Sequence, residues 1–176
     1  MIFKSLSLAD LEQVRQWRND TMASLRTPFL LTEEMQEQFY AEVICNRHVN
    51  ARYWGIWIET DPDNQIEEAF IGLTGIENIQ WENRIGEIAL IISPDSYGMG
   101  YGTEAVTMLL DKGFNHLNLD NIFGECYLSS PAIDFWVHLV DKRQGYKTIL
   151  SNRKYFDGKY YDSLYFSFTK NEYKGE

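Results

Sequence analysis

The middle third of the chain most constrains the fold. There "NRIGEIALIIS" runs into "SYGMGYGTEA", then "VTMLLDKGFNHL", then "NIFGECYLS". An apolar strand, a loop with three glycines, an amphipathic stretch and a second apolar strand follow one another. Two such strands joined by a helix lie parallel, with the helix as crossover. On the helix predicted over Thr103–Leu117, Ala105, Val106, Leu109, Leu110 and Phe114 recur at helical spacing and form a buried side. The continuous apolar end of the first strand predicts burial on both faces.

The rest of the chain fits around this unit. "MIFKSLS" reads as a short strand. Leu8–Asn19 reads as a helix, with Ser7 or Asp10 near its start and Leu11, Val14 and Trp17 at helical spacing. Pro28 breaks "RTPFL", and Thr32 opens a second helix in "TEEMQEQFYAEVICNR". "ARYWGIWIE" and "AFIGLTGIENIQ" are strands paired across the turn "TDPDNQIEE", where Pro62, Asp63 and Asn64 are the turn signals. A helix is predicted over Pro131–Lys142. "DGKYYDSLYFSFT" is a turn and a long strand that forms a hairpin with "YKTILSN". No repeat or linker divides residues 1–176, so the expectation is one α/β domain with a mixed sheet.

Gly98, Gly100 and Gly102 lie between a strand and a helix. Backbone amides at a helix start lack internal partners and sit at the positive end of the dipole, so they bind anions. Glycine lets those amides approach closely. A phosphate group is the expected guest. A P-loop would need Lys-Ser/Thr after the last glycine, and Thr103-Glu104 stands there instead. A dinucleotide fingerprint belongs early in a chain, and this unit is central.

The segment "IISPDSYGMGYGTEA" with "LLDKGFNHLNLDNI" resembles the acetyl-coenzyme A signature of the GNAT superfamily of N-acetyltransferases. That signature reads Arg/Gln-x-x-Gly-x-Gly/Ala, and the glycines of Tyr97–Gly102 fall on it. Tyr97 stands where the family has Arg or Gln. "RIGEIALIISP" is similar to the family's fourth strand. "YFDGKYYDSLYFSFTKNEY" is similar to the end of spermidine acetyltransferases and of enzymes acting on ribosomal-protein N-termini. "VRQWRND" is similar to a short motif of enzymes acting on nucleotide-linked amino sugars.

The resemblance implies a largely antiparallel sheet flanked by helices and splayed between the fourth and fifth strands. It implies one N-acetyltransferase domain over 1–176, with acetyl-CoA as cosubstrate and no metal. Leu90, Ile91 and Ile92 would line the donor's pantetheine arm. Gly98, Met99, Gly100, Tyr101, Gly102 and Thr103 would hold its pyrophosphate. A backbone amide near Ile92 would polarise the thioester carbonyl. Glu87, seven residues before Pro94, is the candidate base that frees the amine of its proton; its alternatives are an exposed strand glutamate or a partner for Arg84. Glu125 is a second candidate. The usual Tyr acid falls at Trp136, whose indole N–H is no useful acid, while Ser129 and Ser130 replace the usual Asn. Tyr127, Tyr146, His138 or a water are the remaining acids, with Asp141 near that position in the alternative alignment. Trp17, Arg18 and Trp54 are candidate acceptor contacts, with Phe39, Tyr40 and Trp81 as further wall residues. For each aromatic, core packing is the competing reading. Arg18 would hold a substrate phosphate or carboxylate, or pair with Asp20 or Glu87.

Composition narrows the partners. Net charge is −10, from 26 acids and 16 bases, which argues against nucleic acid. It suits a cationic acceptor. No apolar run is long enough for a membrane span, so a cytoplasmic enzyme is expected. Cys45 and Cys126 are expected to be buried free thiols, and the three histidines do not cluster. The acceptor is a small-molecule or peptide amine: a polyamine, a protein N-terminus or an amino sugar. A homodimer through the terminal strands is compatible with the sequence. Two alternatives stand beside the enzyme: an acetyl-CoA-binding module that has lost turnover, and a structural turn in an unrelated α/β domain.

Overall fold

In a computed structural model, residues 1–26, 29–59 and 67–173 are described. The break at Pro28 and the core of the turn with Pro62, Asp63 and Asn64 lie outside these residues. The strands are β1 (Ile2–Lys4), β2 (Arg52–Glu59), β3 (Glu68–Gln80), β4 (Ile85–Ile92), β5 (Asn121–Tyr127), β6 (Tyr146–Phe156) and β7 (Lys159–Thr169). The helices are α1 (Leu8–Asp20), α2 (Glu33–Phe39), α3 (Tyr101–Asp111) and α4 (Ile133–Lys142).

The strands form one sheet in the order β1-β2-β3-β4-β5-β7-β6. Every neighbouring pair is antiparallel except β4 and β5. That parallel pair is short. Ile85 faces Asn121, Gly86 faces Ile122 and Glu87 faces Phe123. Beyond these residues β4 runs on to Ile92 beside β3, while β5 runs on to Tyr127 beside β7. A wedge therefore opens between the two strands, as the family resemblance implies.

Local chemistry sets the helix starts. Ser7 Oγ accepts from the Asp10 amide at 3.2 Å, and an Asp10 carboxylate oxygen accepts from the Ser7 amide at 2.8 Å. Both residues singled out in the sequence thus form one capping box. Thr32 Oγ1 accepts from the Met35 amide and caps α2. Helix α3 starts at Tyr101, two residues before the predicted start, because Gly100 takes the cap position. Its last predicted turn is a π turn over Lys112–His116, and α2 likewise continues as a π turn over Tyr40–Ile44. Helix α4 starts at Ile133 rather than Pro131, after a turn in which Ser130 Oγ accepts from the Ala132 amide. The terminal hairpin is longer than "YKTILSN", since β6 reaches Phe156 and turns at Asp157-Gly158.

Hydrophobic clusters cover both faces of the sheet. On one, Val106, Leu109, Leu110 and Phe114 of the α3 segment pack with Trp136, Leu139 and Val140 of α4 on Ile76, Ile122 and Phe166. A side chain at Gly113 would strike Ile122 at 2.2 Å, so this glycine lets the helix settle on the closed end of the wedge. On the other face, Leu6, Leu11 and Val14 pack on Leu73 with Trp17, Phe39 and Tyr53. Cys126 is buried, but Cys45 is exposed, which corrects the expectation of two buried thiols. It stands at the end of the π turn, past the residues that face the core.

Candidate active site

The wedge has a glycine loop at its open end and a carboxylate at its root. At the open end, Gly98 and Gly100 have φ of 76° and 85°. Gly100 caps α3 with no side chain bonded to the first turn. A Cβ at either glycine would meet nothing within 4 Å, so the helix start faces open space. The acid in that first turn, Glu104, pairs with the N-terminal ammonium of Met1 at 3.3 Å. Its charge is thereby answered before any phosphate arrives. Met99 and Tyr97 are exposed beside the loop, and Tyr101, Gly102 and Thr103 form the first turn. These features fit a pyrophosphate on the backbone amides. Leu90, Ile91 and Ile92 form the β4 border of the wedge, past the last residue paired with β5.

Glu87 sits at the root, where β4 and β5 part. Its side chain is 7% exposed. The Arg26 guanidinium pairs with one of its oxygens, and Asn78 Nδ2 donates to the other at 2.9 Å. Asn78 reaches it because β3 slips register between Glu77 and Gln80, and Asn78 there takes φ of 51°. A bulge with a left-handed Asn re-aims a side chain that regular alternation would send elsewhere. The reading of Glu87 as an exposed residue or an Arg84 partner is corrected: Arg84 instead binds Asn118 and pairs with Asp120 at 3.8 Å.

Further polar groups share the Glu87 face. Tyr53 donates its hydroxyl to Glu77. Burial first, and then the Glu77 carboxylate, push that hydroxyl far above the ordinary tyrosine range. Arg18 is largely buried near Glu77 and Tyr53. On β5, Glu125 accepts from Arg153 Nε at 2.9 Å and from Ser163 Oγ at 2.6 Å. Burial alone would raise the Glu125 carboxyl, but these bonds outweigh it and hold it below the usual range. Tyr127 is buried at the end of β5, and burial keeps its hydroxyl protonated above neutral pH. Lys154 lies 5.0 Å from the centre of the Tyr127 ring and donates to the Met22 and Leu25 carbonyls. It thereby ties the segment that carries Arg26 to β6.

The predicted acceptor contacts separate. Trp17 and Arg18 lie on the Glu87 side of the sheet. Trp17 stacks on Phe70 at 5.7 Å, and Phe39 meets Tyr53 edge-on at 5.5 Å. Trp54 faces the other way: it aligns with Thr74 and Leu90, packs in the α3 core and stacks on Phe3 at 6.1 Å. The structure therefore does not bring Trp54 together with Arg18. Trp81 sits at the β3–β4 turn and donates to Asn50. Among the acid candidates, Trp136 is buried and stacked on Phe166 at 4.5 Å, whereas Tyr146 and His138 are exposed. Asp141 is engaged by Lys147. Only Tyr127 of the candidate acids combines burial with a place on the Glu87 face. Arg26 and Asn78 were not found from the sequence. Neither carries a local signal, because a bulge and a contact across 61 positions create their roles.

Among the described residues no three His, Cys, Asp or Glu side chains gather as a metal site requires, and no helix is long and apolar enough to cross a membrane.

Comparison with known proteins gives the family. The family model described as an acetyltransferase (GNAT) domain matches residues 1–132. The chain is 32% identical over 106 residues to an uncharacterized N-acetyltransferase, p20, of Bacillus licheniformis. It is 27% identical over 111 residues to a spermidine N(1)-acetyltransferase of Vibrio cholerae. These matches span 60% and 62% of this chain and 58% and 60% of the two curated relatives. A crystal structure of spermidine N-acetyltransferase from Vibrio cholerae, in complex with CoA and spermine, superposes with a TM-score of 0.80 at 20% identity. It covers 97% of this chain and 96% of that one. At that identity the likeness speaks for the fold. The family model covers three quarters of the sequence, including the N-terminal helices, and the chain belongs to the GNAT acetyltransferase family.

Proposed function

We propose that the protein is an acetyl-CoA-dependent N-acetyltransferase acting on a primary amine. The observation that carries this is the wedge between β4 and β5, with a glycine-capped helix start facing open space at one end and a buried carboxylate at the other. From Glu87 to Ile92 the free border of β4 spans about 17 Å, room for an extended arm between the two.

In this reading the amides of Gly98–Thr103 hold the donor's pyrophosphate, and Leu90–Ile92 line its arm. The donor supplies an activated acetyl thioester. A backbone amide near Ile92 polarises the carbonyl. An alkyl ammonium has a pKa near 10, so it reaches the site protonated. Glu87 takes that proton, directly or through water. The freed nitrogen lone pair forms the new C–N bond, the C–S bond breaks, and the thiol leaves with a proton. Tyr127 is the side chain best placed to give that proton. A donor-binding module without turnover gains no support, since the carboxylate, the cradle and a buried hydroxyl are all present.

Calorimetry with acetyl-CoA and an assay of free thiol release across an amine panel test the reading. Glu87→Gln is expected to lower kcat about a hundredfold with donor affinity intact, the usual scale for loss of a positioned base. An unchanged rate across pH removes Glu87 from the base role. Absence of donor binding refutes the whole reading.

A further inference from the structure

Glu87 already holds a cation. An acceptor ammonium that gives its proton directly to Glu87 takes the place of the Arg26 guanidinium on it. Arg26 is 49% exposed, so it can swing outward without unpacking a core. The nearby acid Glu125 is already held at 2.9 and 3.3 Å by two nitrogens of Arg153, and by Ser163. An anion carried by the acceptor would give the displaced guanidinium a charged partner in place of water.

The charges gathered around Glu87 point the same way. The charged groups linked around Glu87 are Glu77, Glu87 and Glu125 with Arg18, Arg26, Arg153 and Lys154. Three carboxylates face four cations, although the chain as a whole is strongly acidic. A polyamine brings several positive charges and nothing for Arg26. An acceptor that bears both an ammonium and an anion mirrors the Arg26–Glu87 pair. Its ammonium replaces the guanidinium on Glu87, and its anion receives Arg26.

Building on the N-acetyltransferase reading, we infer that the acceptor is a small primary amine carrying a carboxylate or phosphate, and that Arg26 selects it by exchanging Glu87 for that anion. Arg26 is then both the gate on the base and the specificity residue.

The test is thiol release with matched acceptors: glucosamine 6-phosphate beside glucosamine, alanine beside alaninamide, and spermidine. The two pairs separate phosphate from carboxylate. In the wild type, the anionic member of at least one pair is expected to exceed its neutral partner and spermidine by about tenfold or more in kcat/KM. Arg26→Gln should erase that preference mainly through KM, and Arg26→Lys should restore part of it. Thermal melts of both variants check folding. Preference for spermidine or for the neutral members overturns the inference, as does a preference that survives Arg26→Gln. No turnover of any acceptor with donor binding intact also overturns it and leaves the N-acetyltransferase reading standing. Loss of donor binding in the wild type refutes that reading instead.

Discussion

Gly100 separates backbone strain from electrostatics at the proposed donor cradle. Its φ of 85° is the left-handed region, where an L side chain costs about 1–2 kcal/mol. A Cβ there meets nothing within 4 Å, so Gly100→Ala and Gly100→Glu share this conformational cost and add no clash. In a chain of this size the shared cost lowers Tm by about 2–8 °C. The glutamate adds one thing more, a negative charge beside the bound pyrophosphate. With two phosphate charges about 7 Å away and an effective dielectric of about 40, the repulsion is about 2.4 kcal/mol. That is roughly fiftyfold in Kd. Calorimetry with acetyl-CoA at low ionic strength reads the difference between the two variants, and melting curves confirm their equal strain. The gap should narrow as salt rises, because the charges are solvent-facing. Equal donor affinity of the two variants refutes the cradle.

Two further expectations concern the fold under the site. The Tyr53 hydroxyl is raised by burial and by Glu77, so it stays protonated in the folded state while the unfolded chain ionises near pH 10. That contribution to stability is present below pH 10 and lost as pH rises beyond it. Tyr53→Phe should therefore lose less stability than the wild type between pH 9 and 11, measured by urea melts; parallel losses would refute the coupling. Phe114 is fully buried at the end of the α3 segment, so Phe114→Ala should cost about 3–5 kcal/mol in the same melts, and a cost below about 1 kcal/mol would mean the site collapses around the gap.

The elements were legible where one local pattern decides them. The apolar stripe of α3 is legible because Ala105, Val106, Leu109, Leu110 and Phe114 repeat at helical spacing, and all five are fully buried. The parallel β4–β5 pair follows from strand–loop–helix–strand order. Boundaries were less legible, since a left-handed Gly100 extends α3 backward and π turns end two helices early. Trp17 and Trp54 look alike in the sequence as candidate walls. Alternation along β2 sets the parity of Trp54, but only the packing of α1 and α3 decides which face each parity meets. Glu87 could be named from the family resemblance, by its place before Pro94. Its partners could not, because Asn78 depends on a bulge and Arg26 arrives from a distant segment.

The same distinction governs charge. Net charge sums every side chain, and here it points to a cationic acceptor. A substrate meets only the groups it touches, and around Glu87 four cations stand with three carboxylates. Exposed acids such as Glu33, Glu34 and Glu37 on α2 contribute to the sum but not to the site. Arginines and a lysine from α1, the following segment and β6 converge on the sheet face instead. Arg26 and Arg153 hold Glu87 and Glu125, the Tyr53 hydroxyl holds Glu77, and Lys154 ties down the segment that carries Arg26. On the proposed exchange of ion pairs, acceptor selectivity should respond to Arg26 far more than to removal of surface acids.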